Sequence, residues 1–140
     1  ALEYGGKCIE AITHVRDEIM HRIEQAAAHN DSRISVIEIG GTVGDFQHAL
    51  FIEAARVMRL KRQNDVRFVM VTYMPVPSTL GEMKTKPTQS AVRDLNSYGV
   101  QPDFIIARSK GAMDAKRKEK LAAPNTMAER RIGSASSEYQ

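Results

Sequence analysis

Runs of β-branched residues alternate along this chain with stretches of helical apolar spacing, and that alternation restricts the fold more than any other feature. The β-rich runs fall at residues 34–39, 66–73 and 103–107. Between them, apolar residues recur every three or four positions over residues 12–28 and 48–61, and again after Pro87. Strands that alternate with helices are typical of a mostly parallel sheet flanked by helices. The sequence therefore predicts an α/β fold.

The boundaries of several elements are marked by glycine and proline. Residues 34–39 run into Gly40 and Gly41, so we interpret them as a buried strand that ends in a turn. Pro87 suits the first turn of a helix, and Gly99 suits its end. Good helix formers predict a last helix over residues 114–123, which Pro124 should end. We expect one domain over residues 1–123 and a mobile, disordered tail over residues 124–140, where large apolar residues are scarce.

Charge and cysteine content bear on the compartment and the partners. The net charge of +3 is modest, and its excess lies late in the chain, so a nucleotide phosphate would satisfy it as well as a nucleic acid would. Basic residues 110–131 leave a weaker nucleic-acid hypothesis open. The single cysteine, Cys8, can form neither an internal disulfide nor a cysteine-based zinc site, which favours the cytoplasm. No apolar run is long enough to predict a membrane span.

A glycine-rich turn follows the first β-rich run, in the sequence Ile-Glu-Ile-Gly-Gly-Thr-Val-Gly-Asp at residues 37–45. Ligands of open α/β sheets bind beyond the carboxyl ends of the strands, and Glu38 and Asp45 offer oxygen ligands suited to Mg²⁺. A tight strand-to-helix connection, with Asp45 as an acidic helix cap, explains the same residues equally well. Composition alone leaves both interpretations open.

A second motif, Lys-Thr-Lys-Pro-Thr-Gln, occupies residues 84–89. The free N–H groups and the positive dipole end of a helix that starts near Pro87 would attract an anion, with Lys84 and Lys86 beside them. The motif thus predicts a phosphate site. A solvated helix start with two surface lysines is the alternative.

Taken together, these blocks resemble the synthase (amidoligase) domain of the CTP synthases. The order is an acidic strand leading into Gly-Gly-Thr-Val-Gly-Asp, then Lys-Thr-Lys-Pro-Thr-Gln, then Gly-Val-Gln-Pro-Asp-Phe-Ile-Ile-Ala-Arg-Ser at residues 99–109. A looser likeness precedes them at residues 4–14, where Cys8, Glu10 and Thr13 depart from the family's pattern. The resemblance covers an internal part of that domain, roughly residues 4–122.

The resemblance implies a P-loop-like amidoligase fold and a ligase that aminates UTP to CTP with ATP, Mg²⁺ and ammonia released from glutamine. It implies that Glu38 is a Mg²⁺ ligand and that Asp45, Phe46 and Gln47 match a segment that binds CTP as inhibitor. It assigns no catalytic residue. It implies that UTP and CTP are bound by a further set of residues, which are Lys84, Thr85, Lys86, Pro87, Thr88, Gln89 and Lys120. A homotetramer is the family's usual assembly.

Two parts of such enzymes have no counterpart in these residues. The sequence contains no phosphate loop of the form Gly-x-x-x-x-Gly-Lys-Ser/Thr, since Gly5-Gly6-Lys7-Cys8 lacks the earlier glycine and the hydroxyl, and it contains no glutaminase domain. The chain also begins without methionine, so we expect a fragment of a longer enzyme, incomplete at its N-terminal side and inactive in isolation. The alternative is a non-catalytic pyrimidine-nucleotide-binding or assembly module related to these enzymes.

Overall fold

The computed structural model describes residues 8, 10–78, 81–122 and 131–136, the last of these as backbone. The chain divides into two compact units, Ala1–Val66 and Arg67–Gln140. The predicted mobile tail lies outside the described residues except for residues 131–136. No helix in the described part of the chain is long and apolar enough to cross a membrane.

The first unit is built on two packed helices. A π-helical turn, Ala11–Val15, leads into α1, Arg16–His29, and a 3₁₀ turn, Phe46–His48, leads into α2, Ala49–Lys61. The two helices pack against each other, and they contribute the buried residues Met20, Ile52 and Ala54. Both helices were predicted from their apolar spacing, because that spacing places the apolar side chains on one face.

The predicted buried strand at residues 34–39 is wrong. These residues form no strand, and Ile34 and Val36 are 84% and 94% exposed. A strand needs a neighbour that accepts and donates its backbone hydrogen bonds, and no described strand pairs with this segment. A high β-propensity means that the side chains pack well in an existing sheet. It is therefore not sufficient to form a strand when no neighbouring strand is present.

The second unit is a parallel sheet with helical crossovers. Its described strands are β1, Val69–Tyr73, β2, Phe104–Ser109, and β3, Arg131–Ser136, in the order β1-β2-β3. Val69 pairs with Phe104, and Phe104 pairs with Arg131. Helix α3, Lys86–Ser97, connects β1 to β2, and α4, Ala115–Ala122, follows β2. The predicted parallel α/β arrangement is therefore confirmed for this unit.

Strand β3 departs from the expectation of a disordered tail. Residues 131–136 pair in parallel with β2 along its whole length, from Phe104 to Ser109. The prediction of disorder was based on the scarcity of apolar side chains. The hydrogen bonds between strands, however, join backbone N–H and C=O groups, and every residue except proline carries both. The edge of β2 that faces away from β1 supplies the backbone partner of β3, whereas no described strand pairs with residues 34–39.

A small apolar cluster joins α4 to the sheet. It consists of Met74, Ala107, Met113 and Leu121, with Met83 packed against it. Leu121 is 1% exposed and Met74 is fully buried. Because Met83 immediately precedes Lys84, this cluster fixes the position of the lysine-rich segment at the start of α3.

Gly41 carries a backbone conformation that other residues adopt only with strain. Its φ is +90°, and a β-carbon there would clash with Nε2 of His48. We expect Gly41→Ala to lower the free energy of unfolding by about 1–3 kcal/mol. Gly40→Ala is the matched control, since a β-carbon at Gly40 meets nothing within 4 Å, and it should change stability by less than about 1 kcal/mol. Urea unfolding measures both, and equal effects would contradict the assignment of strain to Gly41.

Candidate functional site

The start of α3 combines backbone and side-chain groups that attract anions. Thr85 is the N-cap residue, it makes no side-chain cap hydrogen bond, and proline stands in the first turn. The amide of Gln89 donates to the carbonyl of Thr85 at 3.0 Å, and earlier amides of a helix have no carbonyl within the helix to reach. Those amides and the helix dipole make this end positive.

A cleft of about 350 Å³ lies at this helix start, and it is lined by residues from the segment before α3, from the first residue of α3 and from α4. The lining is Glu82, Met83, Lys84, Thr85, Lys86, Lys116, Arg117 and Lys120. Among these described residues, five side chains are basic and one is acidic. The structure therefore brings Lys84, Thr85 and Lys86 together with Lys120, which lies 34 residues beyond Lys86 in sequence.

Other residues of the predicted nucleotide set have different surroundings. Pro87, Thr88 and Gln89 do not line this cleft. Thr88 is fully buried, and its Oγ1 lies 3.2 Å from Oγ1 of Thr72 on β1. Nε2 of Gln89 donates to the carbonyl of Lys120 at 3.1 Å. In the described structure, Thr88 anchors α3 to the sheet and Gln89 ties α3 to α4.

Lys116 and Arg117 line the cleft, although the sequence analysis counted them only among basic residues 110–131 and did not assign them to the nucleotide site. Lys116 and Lys120 are four residues apart, so they lie on one side of α4, whereas Lys118 lies outside the cleft lining. That spacing was the available signal. It becomes informative only when α4 is known to pack beside residues 82–86.

Asp114 and Arg117 form an ion pair at the start of α4. The backbone N–H of Arg117 donates to Oδ1 of Asp114 at 2.8 Å, and its guanidinium Nη1 contacts Oδ2. The backbone hydrogen bond, joined by the positive charge of Arg117, holds the pKa of the Asp114 carboxyl below its usual value. Asp114 is thus an ionised helix cap that orients the Arg117 side chain.

The residues that the sequence analysis assigned to the glycine-rich region of the first unit are exposed to solvent. Glu38, Asp45, Phe46 and Gln47 are all exposed, and Phe46 is 93% exposed. The amide of Asp45 donates to the carbonyl of Thr42 at 3.1 Å, which closes the turn. Oδ2 of Asp45 lies 3.9 Å from Nε2 of His48.

A metal site made of protein groups alone does not assemble in the part of the chain that the structure describes. No group of three or more His, Cys, Asp or Glu side chains there could hold a metal ion. Mg²⁺ in nucleotide sites is often held by one or two carboxylates together with phosphates and water. The carboxylate of Glu38 is exposed, so it is accessible to such an ion.

The sequence of this chain is similar to those of known proteins. The family described as CTP synthase N-terminus matches residues 1–139. The chain is similar to the CTP synthase of Pyrococcus furiosus, with 44% identity over 95% of this chain and 25% of that protein. The CTP synthases of Pyrococcus horikoshii and Prochlorococcus marinus are 46% and 42% identical over 86% and 85% of this chain. The chain spans 22% of the length of each of these two.

Proposed function

This chain belongs to the CTP synthase family, whose N-terminal domain it matches, and from that premise we propose that it forms the pyrimidine-nucleotide part of such a ligase. The reaction proposed for the whole enzyme is the amination of UTP to CTP with ATP and glutamine-derived ammonia. Because these residues span about a quarter of the relatives, the proposed contribution of the chain is binding and orientation of UTP or CTP.

The charge of the cleft is the single observation that carries this proposal. Lys84, Lys86 and Lys120 converge there with Lys116 and Arg117, against the carboxylate of Glu82. Nζ of Lys84 lies 3.7 Å from Oε2 of Glu82, an exposed pair that a phosphate could displace at little cost. A triphosphate would neutralise the remaining excess of positive charge with charge-assisted hydrogen bonds. Thr85 adds a neutral hydroxyl to the same wall.

The proposed roles of Pro87, Thr88 and Gln89 are indirect. Pro87 presets the backbone at the start of α3, while Thr88 and Gln89 hold that helix against β1 and α4. We propose that they support the nucleotide site by fixing the two helices.

Binding of UTP without turnover is the result that we expect for the 140-residue chain. Since the sequence contains no phosphate loop, the chain should bind UTP and CTP but should form no CTP from UTP, ATP, Mg²⁺ and ammonium. Supplying ammonium makes the assay independent of glutamine hydrolysis. Calorimetric titration measures the binding, and chromatography of the products measures turnover. CTP formation above background, or absence of UTP binding, would contradict the proposal.

We propose that Glu38 helps to hold the Mg²⁺ ion that is bound to the phosphates of ATP. We expect Mg²⁺ to tighten ATP binding, and Glu38→Gln to remove most of that gain, since the amide keeps the shape but loses the charge. Asp65→Asn, which neutralises another exposed carboxylate of the same unit, is the control. ATP affinity is measured with and without Mg²⁺. An equal Mg²⁺ effect in the wild-type chain and Glu38→Gln would exclude this role.

The remaining proposals follow from the family. The exposed residues Asp45, Phe46 and Gln47 are proposed to contact CTP when it acts as inhibitor. A glutaminase domain outside these residues would deliver the ammonia, and a cytoplasmic homotetramer is the proposed assembly.

A further inference from the structure

We propose that Arg117 is a positioning residue, which fixes the segment of residues 82–86 against α4 so that Lys84 and Lys86 face Lys120 across the cleft. The inference deepens the proposed function and rests on it for the identity of the ligand. It concerns how the cleft is held in shape, and it gives a specific task to a residue that the family resemblance does not assign.

The Arg117 side chain connects two structural elements. Its Nε donates to the carbonyl of Met83 at 3.1 Å, and its Nη1 contacts the Asp114 carboxylate. The side chain is 28% exposed, so most of it is packed away from solvent. Asp114 therefore orients the guanidinium, and the guanidinium in turn holds a backbone carbonyl of the opposite wall.

That carbonyl lies in a segment with two other attachments. The amide of Lys84 donates to the carbonyl of Pro75 at 2.9 Å. The Met83 side chain packs against the apolar cluster of Met74, Ala107, Met113 and Leu121. The first contact fixes the backbone of the segment next to β1, and the second packs Met83 against a cluster to which α4 contributes Leu121. Arg117 adds a directed hydrogen bond from α4 to the backbone of the segment. Apolar packing through Leu121 and the bond from Gln89 to Lys120 hold α4 nearby, but neither fixes the direction of the Met83 carbonyl. Without the Arg117 bond the backbone of residues 82–86 could shift along α4, and the distances among the cleft lysines would change.

A positioning role and a purely electrostatic role of Arg117 require different properties of its side chain. If only its positive charge attracted the nucleotide, lysine would replace it well. A planar guanidinium can contact Asp114 and Met83 in two directions at once, whereas an ammonium group is a single point charge on a flexible stem. The conservative variant Arg117→Lys therefore separates positioning from simple electrostatic attraction.

The test uses Arg117→Lys and Arg117→Gln, with Arg93→Lys and Arg93→Gln as matched controls. Arg93 is exposed on α3, its Nη2 lies 3.2 Å from Oγ of Ser90, and it does not line the cleft. Two quantities are measured: the UTP dissociation constant, and amide hydrogen exchange at Lys84 in the ligand-free chain. Exchange at Val92, which is buried on α3, reports any general loss of structure.

We expect both Arg117 variants to weaken UTP binding about tenfold, with little rescue by lysine. Exchange at Lys84 should become faster in both, while exchange at Val92 stays unchanged, and the Arg93 variants should behave as the wild-type chain. Full rescue of binding by Arg117→Lys, or unchanged exchange at Lys84, would overturn the inference. If the wild-type chain binds no UTP, the proposed function fails, and exchange at Lys84 alone then decides whether Arg117 positions the segment.

Discussion

Replacing Lys120 by alanine is expected to weaken UTP binding by at least about tenfold, whereas Lys118→Ala should change it by less than about twofold. Both lysines are on α4 and both are exposed, but only Lys120 lines the cleft. Loss of a charge-assisted hydrogen bond to phosphate costs more than loss of a distant surface charge, because the distant charge is screened by salt. Calorimetric titration of the two variants measures the difference.

The pair is matched in helix, residue type and net charge, so a general electrostatic effect would weaken both variants equally. Equal affinities for UTP would therefore contradict a nucleotide site at the cleft. Titration with uridine adds a second control. Because uridine carries no phosphate, its binding should be insensitive to Lys120→Ala.

The second large effect is expected in the core beneath α4. Leu121→Ala should lower the free energy of unfolding by about 2–5 kcal/mol, because it leaves a cavity beside Met74, Ala107 and Met113. Leu60→Ala is the control, since Leu60 is 59% exposed on α2 and its truncation should cost less than about 0.5 kcal/mol. Urea unfolding measures both variants.

The same substitution should also weaken UTP binding, because Leu121 anchors the helix that carries Lys116, Arg117 and Lys120. A loss of stability with unchanged UTP affinity would show that α4 does not form a wall of the nucleotide site. Similar stability losses in Leu121→Ala and Leu60→Ala would contradict the assignment of Leu121 to the core.

Local sequence patterns were sufficient to predict many of the helices and strands. Apolar spacing identified α1 and α2, and Pro87 and Gly99 marked the two ends of α3. These elements are stabilised by contacts and end signals that are close in sequence. Strands β1 and β2 were also recognised, because each β-rich run finds a parallel partner.

The failures have a common cause, which is that strand formation depends on partners far away in sequence. Residues 34–39 have the β-branched composition of a buried strand but no described partner. Residues 131–136 have little apolar character, yet they pair with the edge of β2 that faces away from β1. Neither outcome is encoded in the segment itself.

In the candidate site, too, residues within sequence motifs were predicted, whereas contacts between residues far apart in sequence were not. Lys84, Lys86 and Lys120 were selected through family motifs, and the structure places them around one cleft. Arg117 was not assigned to the site, because its proposed positioning role depends on a contact with the carbonyl of Met83, 34 residues earlier. Gln89 was selected as a ligand-binding residue, but its side-chain amide donates to the backbone of α4.

Mapping UTP on the isotopically labelled chain by NMR tests the central claim most directly. In a titration with UTP, we expect the amide resonances of residues 82–86 and of Lys116, Arg117 and Lys120 to shift together and to saturate, while those of α1 and α2 remain unchanged. Shifts confined to other parts of the chain, or no saturable shifts at the cleft residues, would contradict the account.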